Sequence, residues 1–366
     1  MPTVAEIATY LEKFSPSCLA AEWDNVGLLL GDPAEAVERV MTCLTITADV
    51  VEEAIRERAN LIVSHHPILF RGVKKLTATS PDGKLVLPLA RAGIAVYSPH
   101  TTFDNCPGGI NDSLCTALGV VNPAPLRPVY GPRQCKLVVF VPDTDLAKVS
   151  DAIFAAGAGV IGNYTECSFR LAGKGTFFGS DAANPVVGQK GRREDVDEWR
   201  LEVVVPESLI APVVAAMRKA HSYEEPAFDI YPLTPGKRGG EGRIGELAQP
   251  ATLGELAARV KQALKAASVQ VCGDLSRTVR KLAIACGAAG EYLMDSIRSD
   301  ADVFLTGELR FHEVLMARDA GLAVLLPGHH ATERPGVELL AERLGHDWPA
   351  LTVWASRAES DPLQPA

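Results

Sequence analysis

The sequence predicts an α/β fold, with parallel or mixed sheets carrying helices on both faces, interrupted by an inserted α+β domain. Three observations predict it. Short apolar runs such as Asn60–Val63, Gly93–Tyr97 and Asp302–Leu305 alternate with helical stretches, the pattern of strands buried under helices on both sides. The pattern changes between two Pro/Gly-rich stretches, Asn122–Pro132 and Thr234–Gly242, and resumes after them. The 366 residues are enough for two or three domains.

The elements follow in order. Val4–Phe14 has an amphipathic helical period, Val40–Ile46 is β-rich, and Asp49–Arg58 is helical again. After the strand at Asn60–Val63 come a helix at Leu85–Arg91, the strand Gly93–Tyr97 and a helix at Asn111–Leu118. Beyond the first connector the order is strand Lys136–Val141, helix Asp145–Ala156 and β-rich pieces in Ser168–Phe178. Strand Trp199–Val205, helix Leu209–His221 and strand Ala227–Tyr231 complete it. That βαββαβ order is the split-βαβ, ferredoxin-like arrangement. Past the second connector, helix Leu253–Ala266 and strand Lys281–Ala285 lead into a turn at Cys286–Gly290 and a helix to Ile297. Strand Asp302–Leu305, helix Arg310–Ala320, strand Leu322–Leu326, a helix from about Ala331 and strand Leu351–Ala355 follow. The expected division is an α/β unit in two pieces, 1–127 and 239–366, around an insert at 128–238.

Composition narrows the function. With 36 basic and 45 acidic residues the net charge is −9, which argues against a general nucleic-acid or anionic-membrane binder. No apolar run is long enough to span a bilayer. Met1–Phe14 lacks the basic stretch and apolar core of a secretory signal. The eight cysteines are scattered, with no C-x-x-C pair, and read as reduced thiols. These features together predict a cytoplasmic protein.

The chemistry sits at strand ends. His65 and His66 follow one strand, His100 and Asp104 another, Glu308 and His312 a third, and His329, His330 and Glu333 a fourth. Carboxyl ends of parallel strands share one edge of a sheet, where ligand sites form. Three pairs, His100/Asp104, Glu308/His312 and His329/Glu333, are four residues apart, so on a helix each pair shares a face. Histidine with carboxylate is the donor set for zinc, manganese or iron, and the number of candidates suits two ions better than one. Each cluster alone has an ordinary reading: a His doublet as a capping feature, Glu308 as helix-cap chemistry, Glu333 as a first-turn acid. Four of them, each after a strand, make coincidence a poor account. CGAAG at Cys286–Gly290 reads equally as an anion cradle or a tight strand–helix turn, and Arg243 as a phosphate contact or a surface salt bridge.

An ordered set of motifs resembles a known family. WDNVGL (Trp23–Leu28), SHHP (Ser64–Pro67), HTTFDN (His100–Asn105), GGIND (Gly108–Asp112), TGELRFHE (Thr306–Glu313) and GHHATE (Gly328–Glu333) are similar to those of the GTP cyclohydrolase 1 type 2 homologues, also described as Ngg-interacting-factor-like dinuclear metal proteins. The insert resembles that of longer bacterial members through IGNYTECSF (Ile161–Phe169), GKGTF (Gly173–Phe177), the NP and VVG of Asn184–Gly188, and HSYEEPAFDIYPL (His221–Leu233). Such inserts are similar to regulatory ferredoxin-like trimer modules. The resemblance implies that His65, His66, Asp104, His329 and a bridging Glu333 hold two divalent ions, zinc first, with manganese or iron as alternatives. It implies proton-transfer or supporting positions for His100 and His312, and places Glu308 where the family commonly has Asp. His330 falls outside the implied ligand set, and Leu326–Pro327 replaces an acidic, small pair. The catalytic residues expected are therefore His312, His100 and Glu308. The resemblance further implies a homohexamer and a small-molecule substrate, a nucleotide, with hydroxide attacking C8 of a guanine ring. The alternative is a non-enzymatic metal carrier, insertase or metal-responsive regulator.

Overall fold

A computed structural model of the chain describes residues 1–364. It begins with α1 (Val4–Phe14), β1 (Gly27–Leu30), β2 (Arg39–Cys43), α2 (Ala48–Arg56), β3 (Leu61–Ser64), α3 (Pro81–Arg91), β4 (Ala95–Ser98), α4 (His100–Asn105), α5 (Ile110–Leu118) and β5 (Val120–Tyr130). Then come β6 (Gln134–Pro142), α6 (Leu146–Ala155), β7 (Phe169–Phe178), β8 (Arg193–Pro206), α7 (Ile210–Ala220) and β9 (Phe228–Leu233). The chain finishes with β10 (Lys237–Thr252), α8 (Leu253–Ala263), β11 (Gln270–Cys272), β12 (Thr278–Ile284), α9 (Leu293–Arg298), β13 (Val303–Leu305), α10 (Phe311–Asp319), β14 (Ala323–Leu326), α11 (His329–Asp347) and β15 (Thr352–Ala355). Two compact units result: Met1–Val129 together with the chain from Lys237 onward, and Tyr130–Gly236. Among the described residues no helix is long and apolar enough to cross a membrane.

The first unit contains two sheets. One has the order β1-β4-β3-β2-β15, parallel except for the antiparallel edge strand β1. The other, β11-β14-β13-β12-β10-β5, is parallel at β12, β13 and β14, with β10 and β11 antiparallel to their neighbours. Side chains alternate across each strand and sort into layers. Leu61 and Val63 of β3, with Val303 and Leu305 of β13, share one core with α1, α5, α8 and α11. Ile62 points the other way, under α2 and α3, while Phe304 lies under α10. That shared central core places the carboxyl ends of the two sheets on a common site.

The connectors differ from expectation in two ways. Asn122–Pro132 is mostly the strand β5, an edge strand beside β10, where Pro123, Pro125 and Pro128 remove donors that no further strand needs. Likewise β10 begins at Lys237, inside the expected second connector. A Cβ on Gly240 would collide with Pro125, so glycine is what lets these two strands lie together. Strand β1 and the short β11 are further additions to the expected elements.

The second unit has its own core. Leu137, Val139 and Val141 of β6 and Leu201, Val203 and Val205 of β8 pack under Val149 and Ile153 of α6 and Val213 and Met217 of α7. Its sheet runs β7-β8-β6-β9 and is antiparallel throughout. His221 is structural, with Nε2 3.0 Å from the Phe140 carbonyl and Nδ1 accepting from Tyr223 N at 3.0 Å.

After β15 the chain is held by a buried carboxylate. Glu53 on α2 accepts from Trp354 Nε1 (3.2 Å), Ser356 Oγ (2.6 Å), Arg357 N (3.1 Å) and Ala358 N (3.0 Å). Burial alone would raise its pKa, but the donors outweigh burial and hold it below the usual carboxylate value. A carboxyl with a depressed native pKa stabilises the fold above its unfolded pKa, and that contribution fades as pH falls through the native value. We expect Glu53→Gln to lose about 2 kcal/mol of stability at neutral pH in urea unfolding, the magnitude of a charged hydrogen-bond set. The gap to the wild type should close as pH falls from about 5 toward the native pKa. A gap unchanged down to about pH 3 would count against the role given to the carboxylate.

Candidate metal centre

Four strand ends deliver the site. His65 and His66 extend β3, and the sheet continues past the strand: His65 N donates to Cys43 O and His66 N to Leu44 O, both at 2.8 Å. His100 opens α4 directly after β4, at a positive φ of 32°. On the other sheet, Gly328 at φ 104° turns the chain from β14 into α11, whose first residue is His329. One helical turn on, Glu333 lies on the same face as His329.

Glu333 is the meeting point. Its Oε2 lies 3.0 Å from His66 Nε2 and 3.0 Å from His329 Nε2, and its Oε1 3.9 Å from His65 Nε2. His65 Nε2 is 3.6 Å from Asp104 Oδ1. The His100 ring packs 5.2 Å from that of His65 and 5.5 Å from that of His66, centroid to centroid. Potential ligand atoms of His65, His66 and His100 lie within 4.8 Å of one another, and so do those of His66, His329 and Glu333. His66 is common to both groups.

The electrostatics follow from burial. Burial would raise the Glu333 carboxyl, but hydrogen bonds with His329 and His66 and the charge of His65 hold it well below the usual range. Asp104, enclosed and facing Glu333, is pushed up to about 7. His329 rises to about 9, chiefly through Glu333, with burial opposing and Glu308 Oε1 assisting at 2.9 Å from Nδ1. His65 moves the other way: burial pushes it well below the usual imidazole value. His65 is 2% exposed, yet neither ring nitrogen has a hydrogen-bond partner. An unpartnered buried polar group is costly. A neutral imidazole with a free lone pair, beside two carboxylates and further imidazoles, is what a divalent cation needs, so these residues fit the metal that the motifs imply.

Not every expected residue arrives as foreseen. Glu308 and His312 do not form a helical pair, because α10 starts at Phe311; Glu308 instead orients His329. His312 is exposed on α10, edge-on to Phe311, and stands outside both ligand groups. Arg243 is neither a surface residue nor a phosphate contact. Its buried guanidinium pairs with Asp112 and donates to the carbonyls of Gly240, Gly242 and Cys106, stapling β10 to the start of α5.

The structure also adds residues. Asp24, within WDNVGL, accepts from His100 Nδ1 at 2.7 Å and from Thr101 Oγ1 at 2.5 Å; these bonds outweigh burial and lower its pKa. Thr45 Oγ1 sits 2.7 Å from His66 Nδ1. CGAAG is a tight turn: Cys286 N donates to Asn111 Oδ1 (2.9 Å), Cys286 Sγ to Asp104 Oδ1 (3.1 Å) and Gly287 N to Thr332 Oγ1 (3.0 Å). Gly287, at φ +66°, lies where a Cβ would strike Glu333 Oε1.

Two features border the cluster. A cavity of about 810 Å³ is lined by Thr45, His66, Glu308, His329 and His330, with Ala358–Gln364 as one wall. Beyond His100, the exposed rings of Trp23 and Phe70 stand 5.8 Å apart and reach the imidazole at 5.9 and 6.2 Å. Asn25 Nδ2 donates to Leu69 O at 2.6 Å and ties the two loops together.

Known proteins match the chain over nearly its full length. The family model Duf34/NIF3 (NGG1p interacting factor 3) matches residues 2–362. A "GTP cyclohydrolase 1 type 2 homolog" of Halalkalibacterium halodurans is 39% identical over 356 residues, 96% of each chain. One of Bacillus subtilis is 40% identical over 328 residues, 89% of this chain and 88% of that one. Among solved structures, a Bacillus cereus protein related to NIF3 is 37% identical with a TM-score of 0.71, covering 100% of this chain and 99% of that one. A Staphylococcus aureus protein has 28% identity and a TM-score of 0.79 at the same coverage. With the family model and these relatives spanning nearly the whole chain, insert included, this chain belongs to the Duf34/NIF3 family.

Proposed function

We propose that the chain holds two divalent cations among His65, His66, Asp104, His329 and Glu333, and works as a metal-dependent hydrolase on a nucleotide or similar ring compound. One observation carries the reading. A fully enclosed His65 with both nitrogens unpartnered lies beside a buried Glu333 that two further imidazoles already approach. When bound, two divalent ions would supply Lewis acidity and a hydroxide nucleophile at neutral pH.

The protein's own groups do the rest. Glu333, facing His66 and His329 from one oxygen and His65 from the other, is suited to bridge the two positions. Asp104 provides the carboxylate on the His65 side. His100, oriented by Asp24 and raised above its usual pKa because that bond and Asp104 outweigh burial, is placed to donate a proton. Glu308 holds the Nδ1 proton of His329, which leaves Nε2 for the ligand side. The exposed rings of Trp23 and Phe70 suit stacking by a planar ring, in line with the GTP cyclohydrolase activity after which the relatives are named. The adjoining cavity of about 810 Å³ falls within the usual range for a small-molecule site. Zinc is the first candidate, with manganese and iron behind it.

The antiparallel order β7-β8-β6-β9 supports reading the insert as ferredoxin-like. The scattered cysteines, with no C-x-x-C pair among them, fit a reducing cytoplasm. Homohexameric assembly belongs to the same reading, and native mass spectrometry checks it.

Asp104→Ala and His66→Ala should each lower bound metal by elemental analysis while leaving the fold intact; unchanged metal content would remove the ligand assignment. Turnover of a nucleotide panel by zinc-, manganese- or iron-loaded protein should vanish in Glu333→Ala. Full metal binding without turnover of any panel member would overturn the hydrolase in favour of a carrier. Gly287→Ala should also cost metal affinity, because the new methyl group displaces Glu333 and left-handed φ strains alanine by about 1 kcal/mol or more. Wild-type affinity in that variant would show that the turn does not set the carboxylate.

A further inference from the structure

We propose that Glu359, on the segment after β15, is a positioning residue for His66 and acts through Leu44 and Thr45. The proposal rests on the reading of His66 as a metal ligand.

Strand β15 runs parallel to β2, and the ladder continues to Ser356 N donating to Thr42 O at 2.7 Å. The main-chain pairing then gives way to a side chain. Glu359 Oε2 accepts from Leu44 N (2.9 Å) and Oε1 from Thr45 N (2.6 Å). Arg334, the residue after Glu333, donates to the same carboxylate at 3.0 Å and to Ser356 O at 2.9 Å. The Glu359 side chain is 4% exposed, so this is an enclosed, charge-assisted clamp and not a surface ion pair.

The clamp fixes the two residues that hold His66 from behind. Leu44 O accepts His66 N, and Thr45 Oγ1 meets His66 Nδ1 at 2.7 Å. An Nδ1–H donated to the threonine would leave the Nε2 lone pair for a metal in place of the hydrogen bond to Glu333. Glu53 secures the same segment from the other side through Ser356, Arg357 and Ala358. The segment from Ala358 to Gln364 also walls the cavity beside His66 and His329. One stretch of chain therefore sets both the imidazole and the space next to it, and nothing in the His/carboxylate motifs announces it.

The test compares wild type with Thr45→Val, Thr45→Ser and Glu359→Gln, titrating metal-free protein with zinc or manganese by calorimetry and following thermal melting without metal. We expect the wild type to take two ions. Thr45→Val should weaken one of them by about 10- to 100-fold, with metal-free melting unchanged. Thr45→Ser, which keeps the hydroxyl, should restore the affinity. Glu359→Gln, in which an amide NH₂ opposes a main-chain N–H, should weaken the same ion. Two ions bound with wild-type affinity in both Thr45→Val and Glu359→Gln would overturn the proposal while leaving the metal centre standing. A wild type that takes up no metal would overturn both. If Glu359→Gln does not fold, wild-type affinity in Thr45→Val overturns the proposal by itself, because the clamp is argued to reach Nδ1 of His66 through that hydroxyl.

Discussion

The site depends on one buried carboxylate held between histidines from two sheets. Glu333 and His329 come with α11, His65 and His66 with β3, and no sequence neighbour relates them. A charge so enclosed is tolerated only when it is paired, and here imidazoles face both of its oxygens. The pairing makes the relative placement of the sheets a condition of the site's chemistry. The shared core of β3, β13, α5 and α11 fixes that placement at the density of a protein interior.

Around this carboxylate the polar stitches run between loops rather than along them. Asn111 reaches Cys286, Thr332 reaches Gly287, and Asp24 reaches both His100 and Thr101. Each joins an element of one strand end to that of another, so the loops are held by several independent bonds. Gly287 belongs to the same logic. It supplies no group to the site, yet its missing side chain is the room into which Glu333 fits.

What can be read from the sequence has a physical reason. Fully buried parallel strands such as Leu61–Ser64 are apolar runs with abrupt ends, so the hydropathy pattern alone assigns the residues that follow them to a sheet edge. The convergence of His65, His66, Asp104, His329 and Glu333 is legible on that ground. Spacing alone carries less. Four residues between Glu308 and His312 mean a shared face only if the helix has begun, and it begins at Phe311. The proline-rich β5 is opaque because an edge strand tolerates residues that central ones exclude, and the glycine-rich start of β10 because its glycine answers to Pro125 on the neighbouring strand. Arg243, Asp24 and Glu359 act on partners more than seventy residues away, and no local pattern encodes such a pairing.

Depth divides the histidines into two kinds. His329, partly open to solvent and bonded to two carboxylates, gains affinity for a proton, whereas His65, enclosed beside other imidazoles, loses it. Protons that balance Glu333 and Asp104 can therefore sit on His329 and His100 but not on His65. At the floor of the cluster the same negative charge meets His65, whose burial disfavours the protonated ring. A positive charge that does not require imidazole protonation resolves this asymmetry, because a cation draws on the lone pairs that burial has left free. The arrangement is thus better matched to metal ions than to protons, and the match comes from how deeply each strand end is set rather than from the identity of the residues alone.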